Sequence, residues 1–227
     1  MKKLSFGMLL LALIFLGCED KKKVEELTNS VNELRQKLEA AESAAAASQE
    51  SVKRLEFLAA KMKDVKARIV TNFGDIELKF YPQQAPIHCF NFITRAESGF
   101  YDNSQFHRVI PGFMIQGGDP NSKDSDPYND GSGGPLVMIP HEFNDLKHKR
   151  GILSTARVGD VTVGAGCQFF IMHGEAPHLD RQYTVFGEVT KGLEIVDKIA
   201  TLETSTDPRL PNHPVKAAII KKVEVFR

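Results

Sequence analysis

The sequence predicts a mainly β domain, an antiparallel barrel or sandwich, entered from a long N-terminal helix. Three observations carry that prediction. Residues 18–66 contain neither Gly nor Pro and are rich in Glu, Lys, Ala, Leu and Val, which is helix composition. From Ala67 onward the chain breaks into short apolar runs, several alternating with polar residues, separated by Gly and Pro. Only two stretches in that second region have helical spacing, so strands must supply most of its core.

The first element is not fold material. Lys2 and Lys3 precede an apolar run from Leu4 to Leu16 that ends in Gly17-Cys18. A charged start, a short apolar middle and a small residue at the cut define a signal peptide over 1–17. The run falls short of the ~20 residues that a spanning helix needs. A cysteine directly after the small residue resembles a bacterial lipobox, which makes Cys18 the lipid attachment site in preference to a chance cysteine. The expectation is an exported protein, anchored in the bacterial envelope and held on a membrane surface rather than crossing it.

Residues 18–66 read as a spacer. With position a at Val24, the a positions are Val24, Val31, Leu38, Ala45, Val52 and Ala59. The d positions are then Leu27, Leu34, Ala41, Ser48, Leu55 and Met62. A register held this long predicts a helix of roughly 60 Å with a narrow apolar seam. Two readings stand equally here: a lone spacer helix, frayed in its Ala-rich middle, or a coiled coil joining copies through residues 24–62.

The β region, 67–227, opens with Arg68–Asn72 and Asp75–Tyr81 as a hairpin around Asn72-Phe73-Gly74. Ala85–Ser98 follows as a helix, with Ile87, Phe90 or Asn91, and Ile93 on one face and Gly99 as its stop. Phe106–Ile110 and Phe113–Gln116 are short strands divided by Pro111-Gly112. A polar, glycine-rich loop runs from Gly117 to Pro135. Further strands are expected at Leu136–Ile139, Gly151–Ala156, Gln168–Met172, Tyr183–Val189 and Val215–Phe226, with a helix at Leu193–Ile199.

Several function classes fall away. Basic and acidic residues balance at 29 each, and no basic excess asks for nucleic acid. Neither Cys-x-x-Cys nor paired His spacing suggests a metal. Asp124, Asp126, Asn129 and Asp130 lack the spacing and the distal Glu of a calcium loop, and read as a solvated loop. Gly131-Ser-Gly-Gly134 has no strand–helix pair around it, so it is not a dinucleotide loop. Gly-x-Ser-x-Gly is absent, and so is a recognisable Ser/His/Asp pattern. Cys89 and Cys167 are either a disulfide or two buried thiols, since spacing alone fixes neither.

The run Phe106–Asp119, FHRVIPGFMIQGGD, resembles the cyclophilins closely. Gly151-Ile-Leu-Ser-Thr-Ala156, Gln168-Phe-Phe-Ile171 and Val185-Phe-Gly-Glu-Val189 match the same family in the same order. The resemblance spans essentially all of 67–227. It implies a closed eight-stranded antiparallel barrel capped by two helices, with a shallow outer groove for X-Pro peptides and no cofactor. It further implies that Arg108 is the catalytic donor and that Gln116 orients it. Phe113, Met114 and Phe170 would wall the proline pocket, with Leu179 beside them. Ala156 would line the substrate backbone, and Tyr183 would bind at the rim. Three positions and one loop depart from the pattern: Tyr183 stands where the family has a rim histidine, and the loop Val158–Gly166 is longer. Arg157 stands where the family commonly has Asn, and His178 stands at its tryptophan position, which disfavours cyclosporin.

The expected function is therefore peptidyl-prolyl isomerisation, assisting the folding of exported polypeptides. Two rivals are a docking module for proline-containing segments and an oligomeric organiser in which the β domain is a passenger. The intact Arg108 argues against mere docking, because a docking site needs no cation there.

Overall fold

The structure, a computed structural model, describes the backbone over residues 18–227 and side chains from residue 21 onward. The expected signal peptide and the side chain of Cys18 lie outside the described residues. The chain divides into two compact units, one ending at Lys53 and the other running from Arg54 to Arg227.

Helix α1 runs unbroken from Cys18 to Met62, straight through the Ala-rich centre. Its first unit leaves the seam open: Leu27, Val31, Leu34, Leu38 and Val52 are all exposed. Ion pairs one turn apart, Lys37 to Glu33 at 2.7 Å and Arg35 to Glu39 at 3.3 Å, support the isolated helix. The last two turns behave differently. Ala59 and Met62 are buried, and Leu58 packs beside them in the main core of the second unit.

The second unit holds nine antiparallel strands: β1 (Lys66–Thr71), β2 (Asp75–Phe80), β3 (Ser104–Gln105), β4 (Arg108–Ile110), β5 (Met114–Gly117), β6 (Ile152–Arg157), β7 (Ala165–Met172), β8 (Val185–Lys191) and β9 (Ile219–Phe226). Their order is β3-β9-β1-β2-β8-β6-β7-β5-β4. The expected closed eight-stranded barrel is therefore corrected to a sheet of nine strands, curled into a half-barrel. The reason lies in one stretch of chain. The sequence predicts one strand, Phe106–Ile110, and the structure keeps it as β4 but adds the two-residue β3 at Ser104–Gln105 just before it. β3 pairs with β9 and β4 with β5, so β3 and β4 become the two edges.

Alternation along the strands sorts side chains onto two faces. Val109, Ile115, Leu153, Phe169 and Ile171 point inward and are 0–1% exposed. Helices α2 (Pro86–Glu97) and α3 (Leu193–Ala200) cover this core with Cys89, Phe92, Ile93, Ile195, Val196 and Ile199. The buried face of α2 is thus His88, Cys89, Phe92, Ile93 and Ala96. Phe90, offered by the sequence as an alternative to Asn91 on the apolar face, is exposed, because Phe92 takes the core position among Phe80, Tyr101, Phe169 and Phe186.

The expected strand at Leu136–Ile139 reduces to one bridge between Ile139 and Ala165, and Leu136 and Val137 face solvent. Cys89 and Cys167 are both free and buried, so the thiol reading holds and the disulfide does not.

Candidate active site

The opposite face of the same strands carries a second cluster, and the site is built on it. One row of cross-strand partners crosses four strands: Arg108 opposite Gln116, Gln116 opposite Phe170, and Phe170 opposite Ser154. Residues two positions along, Met114 and Ala156, share that face. The cross-strand pairing explains the polar contact at the centre. Arg108 Nη1 donates to Gln116 Oε1 at 3.2 Å, and Gln116 Nε2 donates to Gln168 Oε1 at 2.9 Å. Gln168 Nε2 in turn donates to the carbonyls of Gly131 and Gly133, at 3.0 and 2.8 Å. The guanidinium is thus steered by a relay of two side chains, Gln116 and Gln168, that ends in the glycine-rich loop.

That loop is held by a buried carboxylate. Asp119 accepts from the backbone N–H of Gly131, of Asn121 at 2.9 Å and of Gly133 at 3.3 Å. A Cβ on Gly133 would collide with the Asp119 carboxylate, so glycine is needed there for this close approach. Asp124 and Asp126 spend their carboxylates on the N–H groups of Asp126 and Tyr128, at 2.7 and 3.0 Å. They act as turn caps.

A cavity of about 330 Å³ opens on the outer face. It is lined by Arg108, Phe113, Met114, Gln116, Ala156, Arg157, Phe170, His178, Leu179 and Tyr183. The nine groove residues named from the sequence therefore surround one space. Met114, Phe170 and Leu179 form its apolar floor, each under 8% exposed. Tyr183 meets the Phe170 ring edge-on at 5.8 Å, and the His178 ring stacks on Phe113 at 6.0 Å. Phe113 is fixed through its carbonyl, which accepts from the N–H of His173 at 2.9 Å and of Gly174 at 3.2 Å.

Behind the floor lies a polar support the sequence reading did not find. His148 is fully buried, with Nδ1 3.1 Å from Asp180 Oδ1 and Nε2 3.1 Å from Ser154 Oγ. Its ring stacks on Phe170 at 6.1 Å. Burial lowers the His148 pKa, with the Asp180 carboxylate opposing. The backbone N–H of His148, with its ring and Lys147, holds Asp180 down at about 2. Ser154 also donates to the Thr184 carbonyl at 2.9 Å. This Asp–His–Ser line sits beneath an aromatic ring with Ser154 buried, so it positions Phe170 and is closed to a hydrolytic substrate. Nothing in the spacing of residues 148, 154 and 180 announces it. Gln168 was nearer to hand: two residues from Phe170, strand alternation puts both on the groove face.

The electrostatics are one-sided. Arg108 and Arg157 both line the cavity, and no Asp or Glu does. His107, next to Arg108 but buried, has its pKa pushed down to about 4 by burial, against the Asp119 charge. Among the described residues, no three His, Cys, Asp or Glu side chains stand together as a metal site.

Comparison with known proteins gives a consistent result. The family model for the cyclophilin type peptidyl-prolyl cis-trans isomerase/CLD matches residues 66–225. A peptidyl-prolyl cis-trans isomerase of Helicobacter pylori is 45% identical over 141 residues, 60% of this chain and 81% of that one. A peptidyl-prolyl cis-trans isomerase-like 2 of Rhizopus delemar is 40% identical over 177 residues, which cover 75% of this chain. The chain spans only 31% of that fungal protein's length. Among solved structures, a cyclophilin type peptidyl-prolyl cis-trans isomerase of Cryptosporidium parvum, crystallised in the presence of the dipeptide Ala-Pro, superposes with a TM-score of 0.64. It is 32% identical, and the match covers 71% of this chain and 99% of that one.

Proposed function

The chain belongs to the cyclophilin-type peptidyl-prolyl cis-trans isomerase family, and from that premise we propose that its outer cavity isomerises X-Pro bonds in exported polypeptides, assisting their folding at the envelope. As a member of that family it is an isomerase. The reaction makes and breaks no covalent bond. It must lower a rotational barrier of about 18–20 kcal/mol. Acceleration therefore comes from binding the twisted amide more tightly than either planar isomer.

The residues divide that task. The apolar floor of Met114, Phe170 and Leu179, with Phe113 above it, receives the proline ring and excludes water. Arg108, through its guanidinium N–H groups, donates to the atoms whose electron density rises as the bond twists. Gln116 keeps the guanidinium aimed, and Ala156 and Tyr183 meet the substrate chain at the rim. His178 packs on Phe113 as part of the wall. The observation that carries this reading is the convergence of Arg108 and an apolar pocket on one side of four strands, with Gln116 between them.

The N-terminal region supports a location. A signal peptide over 1–17 and lipid on Cys18 would hold the chain at the bacterial envelope, and α1 would carry the isomerase away from the membrane surface. Among the described residues no helix is long and apolar enough to cross a membrane. The exposed a/d seam over residues 27–52 is the surface on which two copies would meet.

Refolding of a protein whose slow phase is limited by an X-Pro bond tests the function. Catalytic amounts of the full chain are expected to speed that phase, and a slow phase left unchanged would count against it. For the anchor, incorporation of labelled fatty acid should disappear in Cys18→Ser, and retained label would refute the site.

A further inference from the structure

Arg157 stands where two cavities meet. The second, of about 160 Å³, is lined among others by Gly133, Pro135, Met138 and Gln168. It shares Gln116, Ala156 and Arg157 with the first. A polypeptide lying across both must pass the Arg157 guanidinium.

The way this cation is held is informative. Nε donates to the Gln182 carbonyl at 2.9 Å, and Nη1 donates to the carbonyls of Val158 and Gly159 at 2.9 and 3.1 Å. The guanidinium carbon lies over the Tyr183 ring, 4.5 Å from its centroid. Four neutral groups therefore fix its orientation, while Nη2 keeps its two N–H groups without an acceptor among the described residues. Nor does Arg157 form an ion pair there. Asp160, three residues on, turns its carboxylate onto Thr162 at 2.8 and 2.7 Å. Arg108 bonds only the neutral amide of Gln116.

The two cavities together contain two arginines and no carboxylate, although basic and acidic residues are equal in number over the whole chain, at 29 each. A concave site with uncompensated cations concentrates anions. A guanidinium fixed in advance loses little freedom when it receives a carboxylate.

We propose that Arg157 is a specificity-determining residue that selects X-Pro segments carrying an Asp or Glu within a few residues of the proline, received by its open Nη2 edge. The inference rests on the isomerase reading and names the substrate class of that same site. An apolar or basic segment would leave the cation without a counter-charge.

The test uses the full chain and matched X-Pro peptides that differ only in Glu against Gln, scanned through the residues before and after the proline. Exchange NMR gives kcat/KM for each at low and high ionic strength. At one or more positions Glu should be preferred about three- to tenfold at low salt, with the preference shrinking as salt screens it. Arg157→Gln should bring that ratio to about one, Arg157→Lys should keep part of it, and Arg157→Glu should invert it. Equal turnover of Glu and Gln peptides at every position, with isomerisation present, would overturn the proposal. So would a preference that survives Arg157→Gln. Were that variant to misfold, Arg157→Lys would decide in its place: a Glu preference equal to that of the unmodified chain would count against the fixed guanidinium, and a reduced one would support it. Absence of isomerisation with every peptide is a separate outcome, and it would remove the underlying reading as well.

Discussion

Gln116 faces two demands at once, accepting from Arg108 and donating to Gln168, and each of its amide atoms meets one of them. Replacement by Leu keeps the bulk and severs both bonds. The Arg108 guanidinium then swings freely, and kcat/KM is expected to fall by about ten- to a hundredfold, the usual cost of a misplaced catalytic group. Steady-state measurement on one X-Pro peptide checks this, with the melting temperature as a control for folding. His107 makes a different prediction. Its folded pKa of about 4 lies below the ordinary value of 6.5, so the unfolded chain binds the proton more readily. Its contribution is complete above about pH 6.5 and is lost as pH falls towards 4. The loss is on the order of 3 kcal/mol. His148, also lowered, adds to the same limb. Urea midpoints should drop over this window in the unmodified chain and drop less in His107→Gln. The sequence made Arg108, Phe113, Met114 and Gln116 legible because they lie within one short run. Gln168 escaped notice because a strand glutamine looks ordinary until its partner is known.

Helix α1 serves two environments with one stripe of residues. Over residues 27–52 the stripe is exposed, and at Ala59 and Met62 it is buried within the second unit. Composition placed the change of character near residue 66, whereas the compact unit begins at Arg54. Heptad periodicity cannot see this difference, since a partner helix and a domain surface ask for the same apolar spacing. A fragment starting at residue 67 loses Leu58, Ala59, Met62 and Val65 from the core, and should be less stable than one starting at 54 by about 2–5 kcal/mol. Denaturant unfolding of the two fragments measures it, and equal stabilities would mean that the last turns of α1 contribute nothing. Elsewhere the elements were legible where period and turn signals coincide, as in β1 and β2 around the Thr71–Gly74 turn. They were not legible where pairing partners decide. Ser104–Gln105 is such a place, because only its pairing with β9 makes it a strand, separate from the neighbouring β4 that pairs with β5.

At the scale of the whole molecule, the curled sheet divides labour between its faces. The inner face, with α2 and α3, supplies the packed core, and the outer face holds a second apolar cluster left open to a ligand. That arrangement suits a reaction needing only binding and orientation, since rigid strands place donor and pocket without a moving part. It also explains why the chain can be formally neutral yet carry a cationic groove: the surface acids lie away from the two cavities. The most direct test of the central claim follows cis/trans exchange of a short X-Pro peptide by NMR, with the full chain and with Arg108→Ala. Rapid exchange is expected with the unmodified chain, and a loss of about a hundred- to a thousandfold in kcat/KM in the variant. Peptide bound by the unmodified chain with no gain in exchange rate would contradict it, and would leave a docking surface in place of an enzyme.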